Sequence, residues 1–431
     1  MPESQLSPNF STLVDLLRYR SLYQAETTAF TFLQDGETEE TSWTYQELDR
    51  RSRAIASQLQ SLGLSGERAL LLYQPGLDYL AAFFGCLYAG MVAVPAYPPR
   101  NKRNTPRIQA IVKDAKAAIA LTTTTIKCRI QSLLEPEIPA DVEKLSISSL
   151  HGGTDLQWLT TDNLPLGIEG NWQKPNINSD TLAFLQYTSG STGTPKGVML
   201  THGNLIHNAA VTYKCMEHSA NSIFVSWLPT YHDMGLIGGI LQPLYGGFPC
   251  VLMAPTSFLQ RPYRWLEAIS QYRGTTSGAP NFAYELCIQK ITPEQKQTLD
   301  LSSWDVAFNG AEPIRNDTLN KFAEAFAVCG FRKEAFYPCY GLAEASLMVT
   351  GSCKSKVPVV KAIDETGLQK NQIVEADISN ENICTLVSSG QTIPDQKILI
   401  VNPETLTCCQ PNEVGEIWVS SPSVGQGYWN R

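Results

Sequence analysis

The sequence lacks the features that would place it among membrane, secreted or nucleic-acid-binding proteins. None of its apolar runs reaches the length of about 18 residues that a membrane span needs. The first 20 residues contain neither a basic n-region nor an apolar h-region, so no secretory signal is visible. The net charge is −8, whereas a nucleic-acid-binding protein is usually basic. We therefore expect no membrane span and no nucleic-acid partner.

The cysteines lack the spacing of a metal site or a disulfide framework. The eleven cysteines form no C-x-x-C pair, and they are scattered singly except for Cys408 and Cys409. Several of them, such as Cys86 and Cys287, lie in apolar helix-like segments, where a thiol acts as a small hydrophobic group. We expect neither a zinc site nor a set of disulfides. This usage is typical of a reduced, cytoplasmic protein.

The apolar content of 43% and charged content of 17% are those of an ordinary globular protein, with room for two or three packed subdomains. A capping box at residues 44–47 opens a helix that ends at Gly63. The apolar stripe of this helix is Leu48, Ile55, Leu59 and Leu62. Further strands are predicted at 69–73, 92–94, 223–227, 251–253, 305–308 and 334–337, and further helices at 80–89, 235–244, 262–272 and 314–327. This alternation predicts an α/β fold with mostly parallel sheets.

The pattern changes after about residue 350. Residues 356–386 show no sustained helical period, and short strands follow at 397–401 and 416–420. We expect residues 1–350 to form two α/β subdomains. Residues 351–431 are expected to form an irregular segment followed by a β-rich subdomain.

The run at residues 187–197, YTSGSTGTPKG, is the most informative in the chain. It holds three glycines, two serines, three threonines and one lysine between two strand-like runs. Such a loop offers backbone N–H groups, hydroxyls and a cation, which are the groups that a polyphosphate needs. It is not a Walker A motif, because Lys196 is followed by Gly197 rather than by serine or threonine. A solvated linker is the alternative, although linkers seldom lie between two strands. The run indicates a nucleotide-binding protein.

This loop, with the residues Thr201-His202-Gly203-Asn204 after it, resembles the phosphate loop of adenylate-forming enzymes. These include the acyl-CoA synthetases, the adenylation domains of peptide synthetases, and luciferase. Three further stretches resemble the fatty acyl-AMP ligases more closely: AVPAYPPR at 93–100, YHDMGLIG at 231–238 and YGLAE at 340–344. The resemblance extends from about Phe30 to the last residue, in the family's order. It implies two stacked α/β subdomains plus a smaller distorted β-barrel subdomain.

The resemblance also implies where ATP and Mg²⁺ would bind. Residues that would hold the triphosphate are Thr188, Ser189, Gly190, Ser191, Thr192, Gly193 and Lys196. Residues that would surround the nucleotide base are Asn309, Gly310, Ala311, Glu312, Tyr340, Gly341, Leu342 and Ala343. In the family the tyrosine stacks on adenine and the glutamate helps to hold Mg²⁺, and these positions correspond to Tyr340 and Glu344. The alternatives are an exposed lysine at 196, a core tyrosine at 340, and a glutamate at 344 that merely favours a helix N-terminus.

His232 matches a family histidine three residues before a glycine, here Gly235. The resemblance implies that His232 lies on the substrate side of the α-phosphate, and that Lys196, His232 and Glu344 are the catalytic residues. Asp233 would orient the histidine ring or contact the nucleotide. Candidate acyl-binding residues are His232, Asp233, Met234, Ser277, Gly278 and Asn281. For each of the candidates in the acyl tunnel, ordinary core packing is an equally good interpretation.

The implied reaction converts a fatty acid and ATP to fatty acyl-AMP and pyrophosphate. The acyl group would pass to a phosphopantetheine-bearing acyl carrier protein of a polyketide or peptide synthase. In acyl-AMP ligases an extra segment, here about 353–384, hinders the rotation used to form a CoA thioester, and a surface loop without function is the alternative. The family's Thr-Gly-Asp motif and C-terminal domain with a catalytic lysine do not appear before Arg431, so we expect a fragment that is weakly active or inactive alone. An acyl-CoA synthetase and a module that only binds its ligands remain alternatives.

Overall fold

The structure, a computed structural model, describes residues 10–34, 36–99, 101, 105–134, 156–188, 195–377 and 379–431. The described residues form strands β1 Thr28–Gln34, β2 Thr38–Thr44, β3 Arg68–Leu72, β4 Val92–Ala96, β5 Ile119–Thr122, β6 Gln157–Thr160, β7 Leu182–Thr188, β8 Lys196–Thr201, β9 Phe224–Ser226, β10 Cys250–Met253, β11 Thr276–Ala279, β12 Val306–Asn309, β13 Phe336–Gly341, β14 Met348–Gly351, β15 Val360–Asp364, β16 Ile383–Val387, β17 Gln391–Thr392, β18 Lys397–Asn402, β19 Thr407–Cys408 and β20 Glu416–Ser420.

The same residues form helices α1 Leu13–Tyr23, α2 Tyr45–Ser61, α3 Leu77–Tyr88, α4 Thr105–Ala115, α5 Thr124–Leu134, α6 His202–Cys215, α7 Gln242–Gly246, α8 Pro255–Gln260, α9 Tyr263–Tyr272, α10 Asn281–Lys290, α11 Pro293–Lys296, α12 Asn316–Phe326 and α13 Glu365–Leu368. A π-helical segment, Met234–Leu241, leads into α7. Short 3₁₀ turns occur at Ile168–Asn171, Ala327–Cys329, Lys333–Ala335 and Ala343–Ala345.

Two large sheets carry the fold. One has nine strands in the order β17-β14-β13-β12-β11-β9-β10-β1-β2, and the other has six in the order β6-β5-β3-β4-β7-β8. The strands from β13 across to β1 are parallel, as are those from β6 across to β7. Antiparallel pairs are confined to the edges. The α/β fold with mostly parallel sheets is therefore confirmed.

The two sheets share one apolar core. Strand β1 from the start of the chain pairs with β10, so the nine-stranded sheet combines distant parts of the sequence. Helix α3 contacts both β4 of one sheet and β1 of the other. Its apolar residues Phe83 and Phe84 are completely buried, together with Phe184 on β7 and Phe30 on β1. This shared core fixes the two sheets relative to each other, and with them the strand ends that form the site.

Most predicted elements are present, with instructive differences at their ends. The Thr44 hydroxyl caps α2 by accepting a hydrogen bond from the Glu47 N–H at 3.2 Å. Leu48 and Leu59 of the predicted stripe are buried, but Leu62 is 43% exposed because the helix ends at Ser61. Leu62 is therefore the C-cap residue of the helix and does not belong to its buried stripe. The predicted helix at 235–244 is instead the π-helical segment followed by α7.

The β-rich C-terminal part consists of small open sheets. Strands β15 and β16 form an antiparallel pair, and β19, β18 and β20 form a three-stranded antiparallel sheet. Over the ranges that the structure describes, these strands do not close into the distorted barrel that the resemblance implied. Strand β17 joins β14 in the nine-stranded sheet, and β14 spans the expected boundary at 350/351.

All eleven cysteines are free thiols, and four of them are buried. Among the helices of the described ranges, none combines the length and the apolar character that crossing a lipid bilayer requires.

Candidate functional site

The site lies where the carboxyl ends of parallel strands from both sheets converge. A large cavity opens there. Part of its lining lies at the ends of six strands or within two residues of them: Ala96 and Tyr97, Tyr187, Trp227, Pro255, Pro280 and Ala311. Ligands of α/β proteins bind at this edge, because the loops that leave the strands are free to vary without disturbing the sheet. One cavity therefore collects residues that are more than 200 positions apart in the sequence.

A second cavity, largely apolar, adjoins the first. Its lining includes Thr212, Met216, Phe224, Phe308 and Met348, together with Gly310 and Tyr340. The two cavities have three lining residues in common, Asp233, Met234 and Ala311. A ligand with a polar head and an apolar tail could therefore occupy both cavities at once.

The π-helical segment gives this junction its shape. Met234 and Gly238 line the apolar cavity, and the segment begins at Asp233, whose carboxylate accepts a hydrogen bond from the Met234 N–H at 2.7 Å. A Cβ atom on Gly235 would lie 2.0 Å from the Pro229 carbonyl oxygen, so only glycine fits. π-Helical turns are rare and often occur at functional sites. Here the segment brings its backbone close to the preceding loop and leaves space at Gly238.

His232 and Asp233 line the large cavity at this junction, His232 with an exposed surface and Asp233 half-buried, and partial loss of solvent is the first cause of both of their pKa shifts. Burial lowers the pKa of the His232 ring below its usual value, and Arg107 lowers it further while Asp233 opposes the shift. Burial raises the pKa of the Asp233 carboxyl, and nearby Glu344 adds to the rise. At neutral pH, His232 is therefore a neutral ring that can donate or accept one hydrogen bond.

Two of the four residues in the segment 309–312, Gly310 and Ala311, line the apolar cavity. Asn309 ends β12 and is completely buried, and a Cβ on Gly310 would lie 3.0 Å from the Cys339 carbonyl oxygen. Ala311 has a φ of 66°, a left-handed conformation that is uncommon for a residue other than glycine. Glu312 points elsewhere, because its carboxylate accepts a hydrogen bond from the Phe282 N–H at 2.6 Å. Its position fits a cap of α10 better than a contact with the nucleotide.

The segment 340–344 follows in the neighbouring strand. Tyr340 and Gly341 end β13 and line the apolar cavity. Gly341 is required by packing, since a Cβ there would lie 2.1 Å from the Leu347 carbonyl oxygen. Leu342 precedes a three-residue 3₁₀ turn that contains Ala343 and Glu344. Such a turn is too short for a helix dipole to explain Glu344, so the alternative interpretation of this residue loses its support.

The predicted phosphate loop joins two paired strands. Thr188 at the end of β7 is the register partner of Lys196 at the start of β8. Ser189, Gly190, Ser191, Thr192 and Gly193 lie outside the described residues. The Tyr187 side chain at the base of the loop lines the large cavity. The base of the hairpin thus lies beside the large cavity, which His232 also lines.

Tyr428 connects the two charged candidates, and the sequence analysis missed it. Its hydroxyl donates a hydrogen bond to Glu344 Oε1 at 2.7 Å, and the Lys196 ammonium lies over its ring, 5.4 Å from the centroid. The hydrogen bond to Glu344, together with burial, raises the pKa of the Tyr428 phenol. No spacing rule links positions 196, 344 and 428, so only the fold could bring them together.

Three of the predicted acyl-binding residues lie behind the cavities rather than in their walls. Ser277 is fully buried and its hydroxyl bonds to the Val225 carbonyl and the Trp265 indole. A Cβ on Gly278 would lie 2.2 Å from the Phe308 carbonyl oxygen, which explains the glycine as a packing requirement. The Asn281 amide donates to the Glu285 carboxylate and the Thr318 hydroxyl. Their positions favour the core-packing interpretation.

Sequence comparison finds relatives along almost the whole chain. Residues 19–429 match the family model described as AMP-binding enzyme. The medium-chain-fatty-acid–acyl-carrier-protein ligase JamA of Moorena producens is 48% identical over 98% of this chain and 70% of its own. The medium-chain-fatty-acid–acyl-carrier-protein ligase TtuA of Teredinibacter turnerae is 36% identical over 97% of this chain and 69% of its own. The chain thus spans about seven tenths of the length of both relatives.

Structural comparison gives the same result. A fatty acid AMP ligase from Legionella pneumophila superposes with a TM-score of 0.91 at 42% identity, over all of this chain and 72% of the other. A fatty acyl-adenylate ligase from L. pneumophila, in complex with acyl adenylate and pyrophosphate, has a TM-score of 0.89 at 44% identity, over 97% of this chain and 70% of the other. The chain belongs to the AMP-binding enzyme family, in the group that includes these fatty-acid ligases.

Proposed function

We propose that this protein activates a fatty acid with ATP, forming fatty acyl-AMP and pyrophosphate. The observation that carries the proposal is the junction of the two cavities at Asp233, Met234 and Ala311. One cavity is apolar and lined largely by core residues, and the lining of the other includes Tyr187 at the base of the phosphate hairpin. This is the arrangement that an acyl-adenylate needs, with its tail in one cavity and its nucleotide in the other.

Each candidate residue then has a role that follows from its position. Lys196 supplies a positive charge to the β- and γ-phosphates at the end of the hairpin. Tyr340, where the apolar cavity lies next to the segment 309–312, offers a flat face to adenine. His232 has a lowered pKa and is neutral, so it can donate a hydrogen bond to the carboxylate or the α-phosphate as negative charge develops there. The reaction depends on positioning and charge, as phosphoryl-type chemistry generally does.

Mg²⁺ fits this site only as an ion brought in with the nucleotide. Mg²⁺ is commonly bound through one or two carboxylates together with substrate phosphates. Glu344 offers such a carboxylate, and its charge helps to raise the pKa of the nearby Asp233 carboxyl. The described part of the chain contains no group of three His, Cys, Asp or Glu residues that could hold a metal by itself. When bound, the ion would neutralise charge on the triphosphate.

We propose an acyl carrier protein, rather than CoA, as the acceptor. Support comes from the two relatives, JamA and TtuA, which are ligases for acyl carrier protein. The segment at 353–384 provides further support because the stretch between its strands β15 and β16 is anchored to the part of the chain before β20. Its backbone bonds to the loop before β20, through the Ile373 N–H to the Asn412 carbonyl at 2.7 Å and the Val414 N–H to the Asn371 carbonyl at 2.9 Å. Such anchoring would resist a rearrangement of this region.

Calorimetric titration tests the binding part of this proposal, using a non-hydrolysable acyl-adenylate mimic and its tail-free adenosine counterpart. We expect the acylated mimic to bind at least tenfold more tightly, because the apolar cavity removes its tail from water. A Lys196→Ala variant should weaken ATP binding but hardly affect the mimic, which lacks β- and γ-phosphates. The exposed Lys290→Ala serves as a control. Equal affinity of the protein for both mimics would refute the assignment of the apolar cavity.

Pyrophosphate exchange tests the chemistry in a protein that carries this chain together with the C-terminal domain that the family resemblance implies. We expect label to enter ATP only when a fatty acid is present, and Glu344→Ala to reduce the exchange strongly. Mass spectrometry of reactions with CoA or with a phosphopantetheinylated carrier protein then identifies the acceptor. Formation of acyl-CoA at a rate comparable with acyl transfer to the carrier would overturn the proposed acceptor.

A further inference from the structure

We infer that Tyr428 is a positioning residue that keeps Lys196 and Glu344 apart and available to the nucleotide and its metal ion. The inference rests on the proposed function and assigns a role to a residue outside the motifs of the phosphate loop and the adenine segments. Its starting point is that one side chain contacts both charged groups. The hydroxyl bonds to the Glu344 carboxylate, and the ring lies under the Lys196 ammonium.

The backbone holds Tyr428 in this place independently of its side chain. Residues 425–429 run alongside β8 and bond to it through the Gln426 N–H to the Met199 carbonyl and the Met199 N–H to the Gly427 carbonyl, both at 2.9 Å. The Trp429 N–H donates to the Gly197 carbonyl at 2.8 Å. The segment is therefore fixed on both sides of Tyr428 by hydrogen bonds that a substitution of the side chain would keep.

The same segment is tied to the turn that carries Glu344. The Gly425 N–H donates to the Glu344 carbonyl oxygen at 2.8 Å. Gly425 and Gly427 allow the segment to lie this close to β8. A Cβ on Gly425 would lie 2.8 Å from the Met199 carbonyl oxygen, and Gly427 has a φ of 111°. Lys196 at the start of β8 and Glu344 after β13 are thus joined through one short segment. The geometry of the segment sets the distance between them.

The chemistry of a tyrosine suits this position. A phenol hydroxyl donates one hydrogen bond to one oxygen of a carboxylate, so the second carboxylate oxygen remains available to a metal ion. The ring face attracts an ammonium group. Without the ring, a flexible lysine and a nearby carboxylate would tend to form a direct ion pair. That pair would have to be broken each time a nucleotide with its metal ion entered. Tyr428 gives each charge a separate partner and so preserves both for the substrate.

Two variants separate the hydroxyl from the ring. Tyr428→Phe keeps the ring under Lys196 and removes the donor to Glu344, whereas Tyr428→Leu removes both. The control is Tyr263→Phe, which also loses one hydroxyl hydrogen bond, to Thr298 at 2.7 Å, but lines neither cavity. The measurement is binding of Mn²⁺, followed by electron paramagnetic resonance, in the presence of α,β-methylene-ATP. Affinity for the analogue without metal is measured in parallel by calorimetry.

We expect Tyr428→Phe to weaken Mn²⁺ binding about 10- to 100-fold, the usual effect of removing a partner that orients a metal ligand, with little change in metal-free nucleotide binding. Tyr428→Leu should weaken both. A Tyr428→Phe variant that binds Mn²⁺ as tightly as the unaltered protein, or more tightly, would overturn the inference. Thermal unfolding must show the variants folded, and Tyr263→Phe must bind normally.

The two proposals fail in different ways. If the unaltered protein binds neither nucleotide nor acyl-adenylate mimic, the proposed function is wrong. If it binds both and Glu344→Ala abolishes the metal site while Tyr428→Phe leaves it intact, only the role of Tyr428 is refuted.

Discussion

Replacing Gly238 with leucine should shorten the acyl cavity without touching the nucleotide site. Gly238 lies in the π-helical segment and lines the apolar cavity. A Cβ atom placed there meets only the Leu347 methyl carbon Cδ2, at 3.2 Å, and its φ is outside the left-handed region. The Leu347 side chain can move, so a larger residue is tolerated and extends into the cavity. The change tests whether this cavity accepts the tail of the fatty acid.

The size of the effect follows from the burial of methylene groups. A leucine side chain occupies the space of about three to four methylenes, each of which contributes about 0.8 kcal/mol when buried. A fatty acid that fills the cavity would therefore lose roughly 2.4–3.2 kcal/mol of binding. This corresponds to a decrease of roughly 60- to 200-fold in kcat/KM. A short acid that does not reach Gly238 should lose almost nothing.

The assay, in a protein that carries this chain together with the C-terminal domain, is fatty acid-dependent pyrophosphate exchange with butanoate and with dodecanoate, together with the KM for ATP. We expect Gly238→Leu to lose activity selectively with dodecanoate, at an unchanged KM for ATP. The control is Gly170→Leu, since Gly170 is exposed and a Cβ there meets no atom within 4 Å. An equal loss with both acids, or no loss with either, would show that the tail lies elsewhere.

Three further predictions concern stability and protonation. Asp49→Ala should lower the free energy of unfolding in urea by about 3 kcal/mol, because the buried Asp49 carboxylate accepts hydrogen bonds from two arginines and a tyrosine hydroxyl. The control Asp317→Ala, at an exposed ion pair, should have little effect. Burial lowers the pKa of His202 to about 4 from 6.5, so its contribution to stability, roughly 3 kcal/mol, is present above pH 6.5 and is lost as the pH falls toward 4. Unfolding at several pH values should show this slope, and His202→Gln should flatten it. NMR titration should give His232 a pKa below 6.5 in the free protein and a higher one with an anionic acyl-adenylate bound, and no change on binding would place its ring away from the ligand.

The elements that the sequence predicts well are those whose pattern is decided locally. Strand β20 was predicted at its observed bounds, and α2 was found with its Thr44 cap, because apolar periodicity and capping are properties of adjacent residues. The π-helical segment was predicted as an ordinary helix. Its glycine-rich sequence has an apolar run but no signal for the wider turn, which depends on the close contact between Gly235 and the Pro229 carbonyl.

The order of strands across the sheets could not be read from the sequence. Strands β1 and β2 lie more than 200 residues before β10 in the chain, yet they extend the sheet beside it. Alternation of helices and strands predicts parallel sheets but does not say which strands are neighbours. That residues from both sheets, such as Tyr97 and Trp227, line one cavity was therefore hidden.

Ligands of α/β proteins bind at the carboxyl ends of parallel strands, and the candidate site shows which residues this expectation identifies and which it does not. Gly310 and Tyr340 lie at or just after the ends of two adjacent parallel strands, and both line the apolar cavity. Ser277 lies in the neighbouring strand β11, but its side chain bonds to the Val225 carbonyl on the side away from the cavity. Successive residues of a strand point to opposite faces. In a strand buried on both faces the sequence carries no polar alternation that would show which face meets the ligand. Residues after a strand end are therefore better candidates for ligand contact than residues within the strand, and this distinction separates Ala311 from Ser277 and Gly278.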